Sequence, residues 1–274
     1  MHLIYNNDFV ETNHPVLNAS NRSFRYGDAL FETIKVVNGR PQFLDRHLTR
    51  LYRGMNVLGM NLPTLLHLHP VDSMVQDLLR INEITEGGRI RLTVFRKDGG
   101  AYLPETDDVD MLIEAFPAEN NYPLNDEGLK IGLYQDLRKP INTLGFVKSA
   151  NSLLFVLAAK FAQKSNFHDV VLLNENGNIC EATASNIFLV KKNTLYTPNM
   201  EEGFIPGIMR ERVIYMANTS GYQVEEGALT PQMMHVADEV FLTNSIKGIQ
   251  WVKAFENKRY FNKVAKALSH ALNA

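Results

Sequence analysis

Residues 172–190 read LLNENGNICEATASNIFLV, a stretch in which two apolar runs flank a short polar turn. The first run begins at Asp169 and ends at Leu173, and the second extends from Ile179 to Val190. An Asn-Gly pair between apolar runs is a strong short-range signal of a β-hairpin. The stretch therefore predicts two antiparallel strands in the second half of the chain, the second of them running from Ile179 to Val190.

The segments on either side of this hairpin have helical patterns. Residues Ser152–Lys164 (SLLFVLAAKFAQK) are rich in Leu and Ala and end in lysine, which favours a helix. A further helix is predicted to start near Pro206–Gly207 and to run to Gly221. The run EVFLTNS (239–245) predicts another strand, and a C-terminal helix follows it. The second half is therefore predicted to mix helices and strands.

The first half has its own strands and helices. Alternation of apolar and polar residues predicts strands over Leu30–Val37 and Ile90–Phe95, and a third strand over Met111–Phe116. Between them, apolar residues at helical spacing predict helices over Asp45–Leu58 and Leu65–Ile81. The segment PAENNYPLNDEG (117–128) combines prolines, asparagines and a glycine, which favours a linker. We therefore expect a smaller domain over residues 1–118 and a larger one over 119–274.

Composition excludes several classes of protein. Lys+Arg 28 against Asp+Glu 30 gives a net charge of −2, which is too balanced for a nucleic-acid-binding surface. A single cysteine, Cys180, excludes a disulfide framework and a multi-cysteine metal site, and no metal is expected. The start of the chain does not resemble a secretory signal, and no apolar run is long enough to span a membrane. We expect a cytoplasmic protein that acts on a small molecule.

Two residues have surroundings that indicate chemistry, and each has an ordinary alternative. Lys148, in GFVKSANSLL, precedes a strong helix, and the positive end of the helix dipole together with burial would favour the neutral amine that a Schiff base requires. It could equally be a lysine extending from a helix start into solvent. Glu181 lies among small and apolar residues, where an ionised carboxylate needs a cation. Its alternative is a solvent-facing position, because Thr183 and Ser185 share its parity on a strand.

Three further features are suited to an anion. Arg50 lies in DRHLTRLYRGM near the start of an amphipathic helix, and arginine makes planar contacts with phosphate, although an arginine on a helix is usually only a solvated charge. Pro-Gly at 206–207 opens a helix whose first amides, those of Ile208 and Met209, have no intrahelical acceptor. Ser245 could add a hydroxyl from the end of a strand. Each of these signals is weak alone.

Together these segments resemble the class IV family of pyridoxal-phosphate enzymes, which includes branched-chain aminotransferases, D-amino-acid aminotransferases and 4-amino-4-deoxychorismate lyase. The resemblance runs from about Tyr26 to Ile249. The matching stretches are YGDALFETIKV (26–36), DRHLTRL (45–51), VKSANSL (147–153), LLNENGNICEATASNIFLV (172–190), TP (197–198), PGIMR (206–210) and EVFLTNSIKGI (239–249). The order and spacing of all seven make the resemblance specific.

The resemblance implies a fold, a cofactor and a set of site residues. The fold would be the two-lobed α+β fold type IV, with a smaller N-terminal α/β lobe, a larger C-terminal lobe with a β-barrel-like core, and the cofactor in the cleft between them. Lys148 would form the Schiff base with pyridoxal 5′-phosphate, and Glu181 would pair with the pyridine nitrogen. The phosphate would be held by Arg50, the amides of Ile208 and Met209, and Ser245. Members of the family are usually homodimers.

The reaction is harder to predict than the cofactor. RKDGGAYLP (96–104) and TNSIKGI (243–249) resemble the lyase more than the aminotransferases, and the loop lacks the arginine–histidine pair that D-amino-acid aminotransferases use for the substrate carboxylate. We therefore expect a 4-amino-4-deoxychorismate lyase that forms 4-aminobenzoate and pyruvate for folate synthesis. The alternatives are a class IV aminotransferase that uses a 2-oxo acid and a non-catalytic small-molecule binder on the same scaffold.

Overall fold

The computed structural model describes residues 1–273, and the chain folds into two compact units. Unit 1 consists of Met1–Asn121 together with Val147–Asn151, and unit 2 consists of Tyr122–Phe146 together with the residues from Ser152 onwards. The short segment that carries Lys148 therefore packs with the N-terminal part of the chain, although it lies beyond the linker in sequence.

Unit 1 is a six-stranded antiparallel sheet with two long helices against one face. The strand order is β2-β1-β6-β5-β3-β4. The strands are β1 (His2–Tyr5), β2 (Asp8–Glu11), β3 (Ala29–Val37), β4 (Arg40–Pro41), β5 (Gly88–Arg96) and β6 (Val109–Pro117), and the α-helices are α1 (Arg22–Tyr26), α2 (Leu44–Val57) and α3 (Leu68–Ile81).

Alternation along β3 explains how this layer forms. Leu30, Ile34 and Val36 point into a core shared with the apolar faces of α2 and α3, whereas Phe31 and Thr33 lie on the other face and are only partly buried. The strands and helices predicted for this half are confirmed. The helix predicted over Leu65–Ile81 starts later, because a 3-10 turn over Thr64–Leu66 and an extended residue 67 come before α3.

Unit 2 contains nine strands and four α-helices. The strands are β7 (Leu129–Lys139), β8 (Asp169–Asn174), β9 (Ile179–Ala182), β10 (Asn186–Lys191), β11 (Thr194–Pro198), β12 (Gln223–Gly227), β13 (Glu239–Asn244), β14 (Gly248–Phe255) and β15 (Lys258–Arg259). The helices are α4 (Leu153–Lys164), α5 (Ile208–Thr219), α6 (Pro231–Val236) and α7 (Lys263–Asn273). The strand order is β12-β11-β10-β13-β14-β7-β8-β9, with β15 beside β14. Because β9 also contacts β10 and β11, the sheet is strongly curled into a half-barrel.

The predicted hairpin is present as β8 and β9, joined by the turn at Asn174–Asn178. The long strand predicted from Ile179 to Val190 is wrong, because the chain leaves the sheet between Ala182 and Asn186. The backbone N–H of Thr183 and its hydroxyl both donate to the Asp169 carboxylate, at 3.1 and 2.6 Å, and this pulls the segment out of strand geometry. The run is therefore two strands, β9 and β10.

The end of unit 2 is held by a buried carboxylate. Glu239 lies in β13, and its two oxygens accept hydrogen bonds from the N–H groups of Val264 and Ala265 at the start of α7. These bonds satisfy amides that have no acceptor within the helix. No helix among residues 1–273 is long and apolar enough to cross a membrane.

Candidate functional site

Arg50 lies on the inner side of α2 and is held by a carboxylate of the neighbouring strand. Its Nε donates to Oε1 of Glu32 at 2.8 Å and its Nη2 donates to Oε2 at 2.5 Å, a bidentate pair. The side chain is only 11% exposed, whereas that of Arg46 is 57% exposed and Arg53 points to solvent. Of the three arginines of this helix, only Arg50 is therefore fixed inside the unit.

Glu32 also binds His47, which makes a buried cluster of three groups. Nδ1 of His47 lies 2.6 Å from Oε2 of Glu32, and both side chains are almost fully buried. Burial would raise the pKa of Glu32, but the Arg50 guanidinium and His47 outweigh it and lower that pKa to about 2. Burial lowers the pKa of His47, despite its bond to Glu32. The cluster therefore contains an anion, a cation and a neutral imidazole that donates from Nδ1.

Lys148 is positioned by strand β3 rather than by a helix start. The N–H of Phe31 donates to its carbonyl at 3.1 Å, and Ala150 N–H donates to the Ala29 carbonyl at 2.8 Å, so the segment runs along the end of β3. Helix α4 begins only at Leu153. The half-buried amine of Lys148 lies 4.3 Å from the centre of the Phe31 ring, which the Arg91 guanidinium also approaches, to 4.0 Å. The amine of Lys148 therefore lies beside an aromatic ring and not at the start of a helix, so the structure gives little support to the expected effect of a helix dipole.

Glu181 lies in the middle of β9 and is only 4% exposed, so its side chain does not face solvent. The parity argument for a solvent-facing position fails because the strand ends at Ala182, before Thr183 and Ser185. Oε1 of Glu181 contacts Nζ of Lys139, and Oε2 accepts a hydrogen bond from the N–H of Ile205 at 3.2 Å. The carboxylate is therefore buried, ionically paired and tied to the segment that leads into α5.

Helix α5 begins with amides that no side chain of the described residues caps. Gly207 is the N-cap residue, and Ile208 and Met209 follow as the first, buried residues of the helix. A Cβ at Gly207 would lie 1.9 Å from Oδ1 of Asn186, so only glycine fits. The Asn186 side chain also donates to the carbonyl of Ile205 at 3.0 Å. The helix start is thus fixed against β10 with its amides directed away from the helix, which suits an anion.

Ser245 follows the last residue of β13 and lies in a turn that Asn244 organises. Oδ1 of Asn244 accepts from the N–H groups of Ile246 and Lys247, at 3.0 and 2.8 Å. Its Nδ2 lies 3.0 Å from the hydroxyl oxygen of Ser185, and hydrogen bonds to it. Asn244 therefore links the turn containing Ser245 to the loop that follows Glu181.

Each unit thus gathers its own share of the predicted site residues. In unit 1, Arg50 and Lys148 lie around residues 31 and 32 of β3. In unit 2, the Ile205 amide joins Glu181 to the start of α5, and the Asn244 turn lies beside the same loop. Glu32, His47 and Lys139 were missed from the sequence. Glu32 had a usable signal, since it is a charged residue at a core-facing position of a predicted strand.

The loop after β5 is held by two buried arginines. Oδ2 of Asp28 accepts from Nε of Arg22 at 2.9 Å and from Nε of Arg96 at 3.0 Å. Arg22 also donates to the carbonyls of Gly99 and Ala101, and Arg96 to the carboxylate of Asp107. Arg96, the first residue of the lyase-like stretch, is therefore used to fix this loop.

These groups have the chemistry that a phosphorylated pyridine aldehyde requires. The start of α5 offers uncapped amides, and Arg50 offers a fixed guanidinium, both suited to a phosphate. Glu181 offers a buried carboxylate for a ring N–H, and Lys148 offers an amine for an aldehyde. The residues present therefore fit pyridoxal 5′-phosphate.

Comparison with known proteins gives a consistent result. Residues 29–255 match the family model "Amino-transferase class IV". A Methanocaldococcus jannaschii protein assigned as a branched-chain-amino-acid aminotransferase is 30% identical over 264 residues, which cover 96% of this chain and 91% of the relative. The aminodeoxychorismate lyase of Vibrio harveyi is 28% identical over 276 residues, covering 97% of this chain and 98% of the lyase.

The fold is shared with solved structures. The branched-chain aminotransferase of Thermoproteus uzoniensis superimposes with a TM-score of 0.92 at 22% identity, covering 99% of this chain and 93% of that one. At this identity the similarity shows the fold, and the expected fold type IV is confirmed.

The Glu32 cluster predicts a pH dependence of stability. Because the pKa of Glu32 falls from an ordinary 4.5 to about 2 on folding, its contribution is complete above pH 4.5 and is lost as pH falls towards 2. We expect the free energy of unfolding to lose about 3 kcal/mol from this group over that interval. In Glu32→Gln this part of the pH dependence disappears, whereas in Glu86→Gln, at an exposed site of the same unit, it remains. Urea unfolding between pH 5 and 2.5 measures it, and parallel curves for wild type and Glu32→Gln would contradict it.

The start of α5 predicts a strict requirement for glycine. Gly207→Ala should lower the free energy of unfolding by roughly 1–3 kcal/mol, because its Cβ collides with Asn186. The matched control is Gly227→Ala in the same unit, where a Cβ meets nothing within 4 Å and the change should be within about 1 kcal/mol. Denaturant unfolding compares the two variants. Equal free energies of unfolding for the two variants would contradict the prediction, because they would mean that the chain adjusts around residue 207.

Proposed function

The chain belongs to the class IV aminotransferase family, and within it we propose that the protein is a pyridoxal-phosphate-dependent 4-amino-4-deoxychorismate lyase. The substrate would lose its enolpyruvyl group as pyruvate and leave 4-aminobenzoate, a precursor in folate synthesis. The proposal has two parts: which residues would hold the cofactor, and which reaction follows.

Lys148 and Glu181 are proposed to serve the reactive end of the cofactor. The half-buried Lys148 would hold the cofactor through its aldehyde, and its amine would then move the proton of the substrate carbon as general base and acid. The buried carboxylate of Glu181 would accept the ring N–H and would keep the ring nitrogen protonated. Bound pyridoxal phosphate supplies an electron sink that stabilises negative charge on the substrate carbon.

Arg50, Ile208, Met209 and Ser245 are proposed to hold the phosphate. Glu32 orients the guanidinium of Arg50 through two hydrogen bonds, so that the arginine enters the complex with little loss of side-chain freedom. The amides at the start of α5 add N–H donors together with the positive end of the helix dipole. Ser245 adds a hydroxyl from a turn that Asn244 fixes.

The observation that favours the lyase is the side chain of Asn244. It makes three hydrogen bonds, two within its own turn and one to Ser185, and these fix the backbone beside the proposed phosphate site. By resemblance, the aminotransferases have Gly-Thr-Ala or Ser-Thr-Thr in this segment. The glycine of Gly-Thr-Ala has no side chain for any of these bonds, so the contrast is with that segment. The end-to-end alignment with the Vibrio harveyi lyase supports the same choice.

The alternative is an aminotransferase, and it keeps a specific basis in the 30% identical relative of Methanocaldococcus jannaschii. Lyase and aminotransferase would use the same cofactor contacts. They differ in what happens to the amino group, and this difference can be measured directly.

The reaction itself gives the first test. With 4-amino-4-deoxychorismate as substrate, we expect pyruvate and 4-aminobenzoate in equal amounts over many turnovers with no 2-oxo acid added. The reason is that elimination leaves the amino group on the product, so no 2-oxo acid would be needed to remove it from the enzyme. Coupled detection of pyruvate and chromatography of 4-aminobenzoate measure both products.

An aminotransferase would behave differently in the same experiment. It would convert its cofactor to the pyridoxamine form after one turnover with an ordinary amino acid and would stop until a 2-oxo acid was added. That behaviour, without 4-aminobenzoate from the chorismate substrate, would replace the lyase by the alternative.

The proposed roles of Arg50, which would bind the phosphate, and Glu181, which would bind the ring nitrogen, give a second prediction. Arg50→Lys should weaken pyridoxal phosphate binding about tenfold or more, because a lysine keeps a cation beside Glu32 but loses the bidentate geometry. Glu181→Gln should lower turnover of the loaded enzyme far more than cofactor affinity, because glutamine cannot hold a protonated ring nitrogen. Cofactor titration and kcat at saturating cofactor separate the two effects.

Arg53→Ala is the matched control for this prediction. Arg53 lies one turn from Arg50 on α2 and is exposed, so its loss should change neither quantity. Equal effects of the Arg50 and Glu181 variants on both quantities would contradict the proposed division.

A further inference from the structure

A buried lysine, Lys139, is ion-paired with Glu181, the carboxylate that is proposed to receive the ring nitrogen of the cofactor. Nζ of Lys139 contacts Oε1 of Glu181, and each residue is only 4% exposed. Lys139 is the last residue of β7, and it follows an irregularity in that strand: Tyr134 pairs with Leu172 of β8, whereas Lys139 already pairs with Asn174. The extra residues of β7 re-aim the strand end and bring Lys139 next to Glu181.

Each member of this pair is the other's counter-ion. Among residues 1–273, neither Lys139 nor Glu181 forms a second ion pair. Beside Glu181 lies the thiol of Cys180, whose pKa burial and the Glu181 charge raise to about 12, so this thiol stays neutral. The Phe155 ring, 5.5 Å from Nζ of Lys139, contributes an aromatic face but no charge. A buried charge left without its partner is strongly destabilising, so the two residues depend on each other.

A protonated ring nitrogen at Glu181 would be a second cation on one carboxylate. The group of three would then carry a net positive charge in a buried position, which is less favourable than one cation and one anion. With Lys139 present, the carboxylate is already neutralised before the ring arrives. With Lys139 absent, the ring nitrogen would be the cation that the carboxylate needs.

We propose that Lys139 is a positioning residue that serves as the resident counter-ion of Glu181 and competes with the ring nitrogen of the cofactor for it. This inference rests on the proposed function, in which Glu181 receives the ring nitrogen. It assigns Lys139 the role of holding the Glu181 carboxylate in place before the cofactor binds, and of weakening the contact between Glu181 and the ring nitrogen afterwards.

The test compares pyridoxal phosphate with an analogue in which carbon replaces the ring nitrogen. Both compounds have the aldehyde and the phosphate, so the ratio of their Kd values isolates the contribution of the ring nitrogen. In Lys139→Met, this preference for pyridoxal phosphate should be about tenfold or more larger than in wild type, as expected for one added charge-assisted hydrogen bond. An unchanged or smaller preference would overturn the proposal.

Two further variants make the result specific. Lys130→Met removes another lysine of β7, whose amine lies over the Phe167 ring, and it should keep the wild-type preference. The double variant Lys139→Met with Glu181→Gln has neither charge, so its preference should fall back to the wild-type level or below. A high preference in the double variant would show that Glu181 is not the group responsible, which also overturns the proposal.

Thermal unfolding without cofactor supplies a readout that does not depend on activity. Lys139→Met should unfold at a lower temperature than wild type, and the double variant should regain part of the loss because no lone charge remains buried. If Lys139→Met folds only with pyridoxal phosphate present, the carbon analogue should fail to replace it. Rescue by both compounds alike would contradict the role of the ring nitrogen.

A control on wild-type protein separates this inference from the proposed function. Borohydride reduction followed by peptide mapping should fix the cofactor on Lys148. If wild type neither binds pyridoxal phosphate nor yields this adduct, both the proposed function and the role of Lys139 fail. If it does both and the preference of Lys139→Met is that of wild type, only the role of Lys139 fails.

Discussion

A buried carboxylate is stabilised by donated hydrogen bonds or by a cation beside it, and in this chain one buried carboxylate of each unit lies against a cation. In unit 1 the anion is Glu32 and the cation is Arg50; in unit 2 they are Glu181 and Lys139. In both cases the anion lies on a strand in the interior, where apolar residues surround it. The cation comes from a different element, so each pair also ties two elements together.

The two pairs have different consequences for a ligand. Nε and Nη2 of Arg50 both donate to Glu32, and these two bonds set the plane of the guanidinium. A planar guanidinium with a fixed orientation suits a phosphate. Lys139 instead meets the one carboxylate that would receive a ring nitrogen. In the first pair the anion would therefore orient the cation for the proposed phosphate. In the second pair the anion is already ion-paired, and a cationic ligand would have to share it with Lys139.

Much of this fold could be predicted from local sequence. The turn at Asn174–Asn178 indicated the β8–β9 hairpin, and the spacing of apolar residues indicated α2, because both signals depend on neighbours in sequence. The break after Ala182 could not be predicted, because it depends on a hydrogen bond from Thr183 to Asp169 that exists only in the folded chain. The position of Lys148 beside β3 has the same character, since its partners lie more than a hundred residues away.

In the candidate site, too, some residues could not be predicted from local sequence. Lys148, Arg50 and Glu181 were identified through a resemblance of motifs, whereas Lys139 has no local signal at all. It follows a strand irregularity, and its partner is 42 residues further along the chain. Residues that carry chemistry tend to lie in recognisable stretches, but the residues that neutralise or orient them are chosen by tertiary packing.

The same distinction bears on the type of reaction. Members of one fold can share every cofactor contact and still catalyse different reactions, so the difference must come from groups around those contacts. In this chain the arginine of the lyase-like loop, Arg96, donates hydrogen bonds to the carboxylates of Asp28 and Asp107, and these bonds fix the loop. The side chain of Asn244 likewise forms hydrogen bonds within its own turn and with Ser185. The features on which the proposed lyase activity rests therefore act on backbone position, and they would influence the reaction through the geometry that they impose on the residues beside them.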